Sequence, residues 1–112
     1  MEQLQLAREQ YVRQVIDCYC RTPVTLGRAR HEDRDLAAQL HQRGIPVAVI
    51  EAAILLATAR RTLRSADALR LQPVRSLHYF LPVIDEILAN PIDPGYMSYL
   101  REKLRRFGFV SK

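Results

Sequence analysis

GIPVAVIEAAILLATARRTLR, residues 44–64, is the stretch that decides the fold of this chain. Gly44 permits the left-handed backbone conformation that ends a helix, and Pro46 suits the first position of the next helix. The positions that follow are apolar on nearly every face, with two polar interruptions before the arginines near the end. A helix that is apolar all round is buried in a core. The stretch therefore predicts a central helix over residues 46–63 that forms the hub of the fold.

The break at Gly44 also gives the outline of a helix-turn-helix, with a helix over residues 32–43 before it. A helix that reads bases in the major groove carries polar or basic side chains at its exposed N-terminal positions. In this chain those positions are Pro46, Val47, Ala48 and Glu51. Because these side chains offer no hydrogen-bond donors to base edges, we expect no base-specific recognition by this helix.

Apolar spacing typical of helices also appears on both sides of the central stretch. It predicts an amphipathic helix over residues 2–20 and a last helix over residues 93–107, the latter with Tyr96 and Tyr99 among its inward side chains. No alternating stretch is long enough for a strand. The sequence therefore predicts a single all-α domain, residues 1–112, of about five helices around a buried central helix.

Two segments of the chain depart from the regular helical pattern. Residues 64–74 have no sustained periodicity and are predicted to form a surface loop. Helical spacing then resumes around Pro82, and a proline inside a helix removes a backbone hydrogen bond. The alternatives are a helix that kinks at Pro82 and a short turn followed by a new helix that begins there. We expect the kink, with Ser76 as the N-cap of the segment.

The composition limits the partners that the chain can have. The 112 residues carry a formal net charge of +5 and a pI near 9.7, and arginine supplies almost all of the 17 basic residues. An excess of basic residues makes nucleic acid the first partner to consider, followed by an acidic protein and an anionic membrane surface. The sequence shows neither a signal peptide nor a membrane span, so we expect a cytoplasmic protein without a membrane partner.

Residue types that carry catalysis or bind metals are sparse. Cys18 and Cys20 would lie about 200° apart on a helix, and the three histidines are widely separated. No glycine-rich phosphate loop and no nucleophile motif is present. We therefore expect no metal, no cofactor and no enzymatic activity.

Two groups of arginines are the candidate binding residues. The first group follows the central helix and continues through the loop: Arg60, Arg61, Arg64, Arg70 and Arg75. The second group lies on the last helix, at Arg105 and Arg106. Along these runs acids are rare, with only Asp67 between residues 60 and 75 and only Glu102 between residues 99 and 112. Unneutralised arginines predict contacts with phosphates, although helix faces also carry charges merely to solvate the surface.

A spacing of four residues near the chain end resembles a known family. Tyr96, Leu100, Leu104 and Gly108 fall on the pattern that ends the DnaD-type replication domains, and the preceding order of elements is similar. The family has tryptophan where this chain has Leu104. The resemblance implies an all-α fold and association with DNA without strong sequence preference.

These observations predict a small nucleic-acid-binding accessory protein that functions in DNA replication or in a mobile element. DNA is the expected partner, with RNA as the second nucleic acid to consider. The alternative is a protein-protein interaction adaptor or an oligomerising helical module. In that case apolar helix faces would bind a protein partner or a second copy of the chain as a homodimer.

Overall fold

The computed structural model describes residues 2–64 and 71–106 of the chain. In this part of the chain the helices are α1 (Glu2–Arg21), α2 (His31–Gln42), α3 (Val47–Thr62), a 3₁₀ turn (Leu77–Phe80), α4 (Leu81–Ala89) and α5 (Pro94–Arg106). Only an isolated bridge between Thr25 and Val74 has β-type pairing among the described residues. The predicted all-α fold of five helices is confirmed. None of these helices combines the length and the apolar character needed to span a bilayer.

Helix α3 is the hub of the fold, as the sequence predicts. It packs against α1, α4, α5 and the 3₁₀ turn. Its buried side chains are Ile50, Ala53, Ile54, Leu56, Ala57, Thr58 and Ala59. The one polar member of this set, Thr58, donates its hydroxyl hydrogen to the Ile54 carbonyl at 2.7 Å, so its burial leaves no unpaired donor. Gly44 has a φ of +75°, which is the left-handed turn expected before α3.

The expected kink at Pro82 is wrong, and the alternative is the observed structure. The 3₁₀ turn begins after Ser76, whose Oγ accepts the His78 N–H at 3.1 Å, which confirms the predicted N-cap. A separate helix, α4, then begins at Leu81 and places Pro82 in its first turn. At that position the missing N–H of proline would have no intrahelical partner in any case, whereas a continuous helix would lose a hydrogen bond.

The predicted inward position of Tyr96 and Tyr99 is also wrong. The buried stripe of α5 consists of Met97, Leu100 and Leu104, spaced by three and four residues. Each tyrosine precedes a buried residue by one position, which rotates it by about 100° away from the core. Tyr96 and Tyr99 are therefore 48% and 53% exposed. The remaining residue expected inward, Phe107, lies outside the described residues.

A buried carboxylate holds the 3₁₀ turn against the start of α2. Asp33 is fully buried, and its Oδ2 accepts the Arg30 N–H at 2.9 Å, which caps the helix. Its Oδ1 accepts the Leu77 N–H at 2.9 Å and the Ser76 hydroxyl at 3.3 Å. Asp33 also lies in the first turn of α2, where the positive end of the helix dipole favours a carboxylate. The structure adds a contact to a segment that is more than forty residues away in sequence.

Replacing Asp33 with alanine should reduce the free energy of unfolding by roughly 2–4 kcal/mol, because the buried Leu77 N–H loses its acceptor together with the cap. Urea unfolding followed by circular dichroism measures this change. The control is Asp35→Ala, which removes an exposed carboxylate from the same helix. Equal and small effects of the two substitutions would contradict the role of Asp33.

A second long-range contact joins α1 to the turn between α2 and α3. The Tyr11 hydroxyl donates to the Ile45 carbonyl at 2.6 Å, and the Tyr11 ring packs edge-on against His41 at 4.9 Å. Burial raises the pKa of Tyr11 to about 12. The folded state favours the neutral phenol. Tyr11 therefore contributes its full stabilisation below pH 10, the ordinary pKa of tyrosine.

Stability should therefore fall between pH 10 and about pH 12, where tyrosine ionises in the unfolded chain but Tyr11 remains protonated in the folded one. Tyr11→Phe should be less stable than the unmodified protein at pH 7 and should lose less stability across this alkaline window. Thermal unfolding as a function of pH checks both statements. An identical alkaline decline in the two proteins would show that Tyr11 contributes nothing to it.

Candidate nucleic-acid interface

The structure brings Arg60, Arg61 and Arg64 together at the C-terminal end of α3. They line one shallow, open groove of about 330 Å³, which we call the arginine groove. Its other lining residues are Ala57, Leu71, Tyr79 and Val83. Clustering of these three arginines at one end of the domain is what the sequence predicts.

The first arginine group has two further members, Arg75 and Arg70. Arg75 is exposed and follows the buried Val74, but it is not among the residues that line the arginine groove. Arg70 lies outside the described residues. The backbone just before Arg75 is hydrogen-bonded to the connection between α1 and α2. The Val74 N–H donates to the Val24 carbonyl at 2.8 Å, and the Val74 carbonyl accepts the Leu26 N–H at 3.1 Å.

Arg60 is neutralised by an acid from another helix. Its Nη1 donates to Glu86 Oε1 at 3.0 Å, and its Nη2 donates to the other carboxylate oxygen, so that the pair is bidentate. The hydrogen bonds and charge of Arg60 hold the pKa of Glu86 below its ordinary value. The prediction of an unneutralised run therefore fails at Arg60. Counting acids along the run misses Glu86 because it lies 26 residues away in sequence.

Arg61 is fixed in place by neutral oxygens. Its Nη1 donates to the Tyr79 hydroxyl at 3.1 Å, and its Nη2 donates to the Gln72 carbonyl at 2.6 Å. The guanidinium carbon lies 5.3 Å from the centre of the Tyr79 ring, within the range of a cation–π contact. Among the described acids, none forms an ion pair with Arg61. Arg61 is thus an ordered cation in the groove that keeps its full charge.

In the second arginine group, Arg105 forms an ion pair with an acid of its own helix. On α5, Arg105 donates from Nε to Glu102 Oε2 at 2.8 Å and from Nη2 to Oε1 at 2.7 Å. The pKa of Glu102 is lowered, first by this hydrogen bonding and then by the charge of Arg105. Its neighbour Arg106 is exposed at the end of the described helix. An exposed pair within one helix contributes little to stability.

Exposed tyrosines are a further feature of the surface, one that the sequence pattern did not predict. Tyr96 and Tyr99 stack on each other with their ring centres 6.0 Å apart, and we call them the tyrosine pair. The Lys103 ammonium lies 5.6 Å from the Tyr99 ring centre and donates to its hydroxyl at 3.3 Å. The spacing of these residues, three and four apart on a face beside the buried stripe, is a signal that could have found them.

The tyrosine pair lies on α5, which packs against α3, the helix that carries Arg60 and Arg61. The pKa of Arg60 is raised first by its hydrogen bond to Glu86 and also by electrostatic interaction with Tyr96. Arg60 also lines the arginine groove. The C-terminal end of α3 thus presents guanidinium groups with the exposed Tyr79 ring beside them.

Other residues weighed in the sequence give no comparable arrangement. Within residues 2–64 and 71–106 no group of three or more histidine, cysteine, aspartate or glutamate side chains could hold a metal ion. Burial raises the pKa of Cys18 to about 11, so that its thiol is protonated at neutral pH. On α3, Ala48 and Glu51 are exposed at the positions where a groove-reading helix carries polar donors.

Comparison of the chain with family models, with curated proteins and with solved structures found no match. Function is therefore inferred from the chemistry of this surface.

Reversing the charge of Arg60 by Arg60→Glu should lower the melting temperature by a few degrees, because two carboxylates would then face each other across α3 and α4. Adding Glu86→Arg to the same chain should restore most of the loss, since the pair is re-formed with its charges exchanged. Thermal melting followed by circular dichroism at low salt measures both changes. A double variant no more stable than the single one would contradict the observed pairing.

Proposed function

We propose that this chain binds nucleic acid, DNA above all, through arginine–phosphate contacts without strong sequence preference. The role we infer is that of an accessory protein in replication or in the movement of a mobile element. The resemblance of the last helix to the DnaD-type domains supports the same direction. The basic balance of the chain, with a formal net charge of +5, also favours a polyanionic partner.

The observation that carries the proposal is the state of Arg61. Two neutral oxygens, from Tyr79 and Gln72, fix its guanidinium group, while no described acid neutralises it. Each of these bonds uses one N–H of a different Nη atom, which leaves a second N–H on each for another acceptor. Phosphate oxygens suit this planar fork and supply the missing negative charge. An arginine that is already ordered also loses less side-chain entropy on binding.

The residues at the N-terminal end of α3 support the proposed lack of strong sequence preference. Its exposed N-terminal residues include Ala48 and Glu51, which cannot donate hydrogen bonds to base edges. The arginines of the groove are at the opposite end of the same helix, about 20 Å away at 1.5 Å per residue. Contacts made there would position the protein on a phosphate backbone without reading bases.

The adaptor function has weaker support from the described surface. The large aliphatic side chains that are exposed belong to different elements: Leu6 in α1, Leu88 in α4, and Leu26 and Leu71 in connections. No described helix presents two of them on one face. Docking of a partner helix requires several apolar anchors at helical spacing, so nucleic acid is the better-supported partner.

Arg61→Gln should weaken DNA binding and make its dependence on salt shallower. The slope of log K against log salt should change by about 0.9 for each phosphate contact that is lost. Fluorescence anisotropy with labelled DNA over a range of salt concentrations measures both quantities. The control is Arg21→Gln, which removes one positive charge beside Val47 and Ala48 at the other end of α3.

Equal effects of Arg61→Gln and Arg21→Gln would show that net charge alone determines binding. Failure of the unmodified protein to bind DNA at low salt would overturn the proposed function and favour the adaptor. Binding of one defined duplex about a thousandfold more tightly than unrelated duplexes, a ratio typical of specific proteins, would contradict the lack of sequence preference.

A further inference from the structure

We propose that the nucleic acid bound at this surface is single-stranded, and that its unpaired bases stack on Tyr79 and on the tyrosine pair. The inference rests on the proposed function and names the form of its substrate. Every base has an aromatic face, so stacking on tyrosine tolerates any sequence. Bases inside a duplex are stacked on each other and cannot reach such rings.

The division of the tyrosines between core and surface is the first support. Of the five tyrosines in the chain, Tyr11 and Tyr19 are buried in the core. The other three, Tyr79, Tyr96 and Tyr99, are each 44% exposed or more, and they belong to two elements that pack against α3, the 3₁₀ turn and α5. Half-exposed aromatic rings beside basic side chains are typical of proteins that bind single strands.

A cation accompanies a ring in both parts of the surface. The Arg61 guanidinium lies over Tyr79, and the Lys103 ammonium lies over Tyr99. A nucleotide presents an aromatic base and a phosphate. At each position the tyrosine ring can stack on the base while the cation contacts the phosphate. Lysine has a flexible stem, so a base that stacks on Tyr99 can displace the Lys103 ammonium towards the adjoining phosphate.

Helix α3 relates the two stacking positions to each other. The 3₁₀ turn that carries Tyr79 and helix α5 that carries the tyrosine pair both pack against it. Its residue Arg60 lines the arginine groove together with Tyr79. Because Glu86 already neutralises Arg60, we place the phosphate contacts at Arg61 and Lys103.

The test compares an oligothymidine with a duplex of equal length at fixed salt. The chain has no tryptophan, so its intrinsic fluorescence comes from its five tyrosines, three of which are the proposed stacking residues. We expect tighter binding of the single strand, accompanied by quenching of the tyrosine emission. Tyr99→Ala should weaken single-strand binding roughly 5- to 150-fold while leaving duplex affinity nearly unchanged. Tyr79→Ala should weaken binding of both forms, and of the single strand more, because Tyr79 also holds Arg61 in place.

The matched controls are Tyr99→Phe and Tyr79→Phe, which keep the ring and should retain the preference for single strands. Tyr79 also hydrogen-bonds Arg61 and packs on Phe80, whereas Tyr99 is exposed on α5, so the Tyr99 variants remain informative if Tyr79→Ala fails to fold.

Duplex binding as tight as single-strand binding would overturn the inference, as would unchanged single-strand affinity in a folded Tyr99→Ala variant. In either case a loss of affinity in Arg61→Gln would leave the proposed function standing. Absence of binding to both forms at low salt would overturn the inference and the proposed function together.

Discussion

Burial of α3 on nearly all sides is the constraint on which the rest of the structure depends. A helix with apolar residues at almost every position is stable in water only when other elements cover it. Here α1, α4, α5 and the 3₁₀ turn provide that cover. The basic residues of the helix, Arg60 and Arg61, lie at its C-terminal end, where the helix leaves the core. The same constraint that defines the fold therefore also concentrates cations at one end of the domain.

Contacts between elements then give the arginines at that end different properties. Glu86 from α4 neutralises Arg60, whereas Tyr79 and the Gln72 carbonyl order Arg61 without neutralising it. The buried Asp33 carboxylate contributes indirectly, because it ties α2 to the start of the 3₁₀ turn that carries Tyr79. A residue in the core thus helps to place an aromatic ring on the surface.

Much of the fold follows from local signals in the sequence. Gly44 ends α2 with a left-handed residue, and apolar spacing defines α1, α3 and α5. The chemistry of the surface depends instead on pairs far apart along the chain, such as Arg60 with Glu86, which no local pattern shows. The orientation of Tyr96 was predicted wrongly because tyrosine suits both a core and a surface, and the neighbouring Met97 completes the buried stripe better.

The most direct test of the central claim is to map backbone amide chemical shifts by NMR while a single-stranded oligothymidine is added at low salt. We predict perturbations at the end of α3, in the 3₁₀ turn around Tyr79 and along α5 from Tyr96 to Lys103, with little change in α2. Shifts concentrated in α2 and at the N-terminal end of α3, or no shifts at all, would contradict the account.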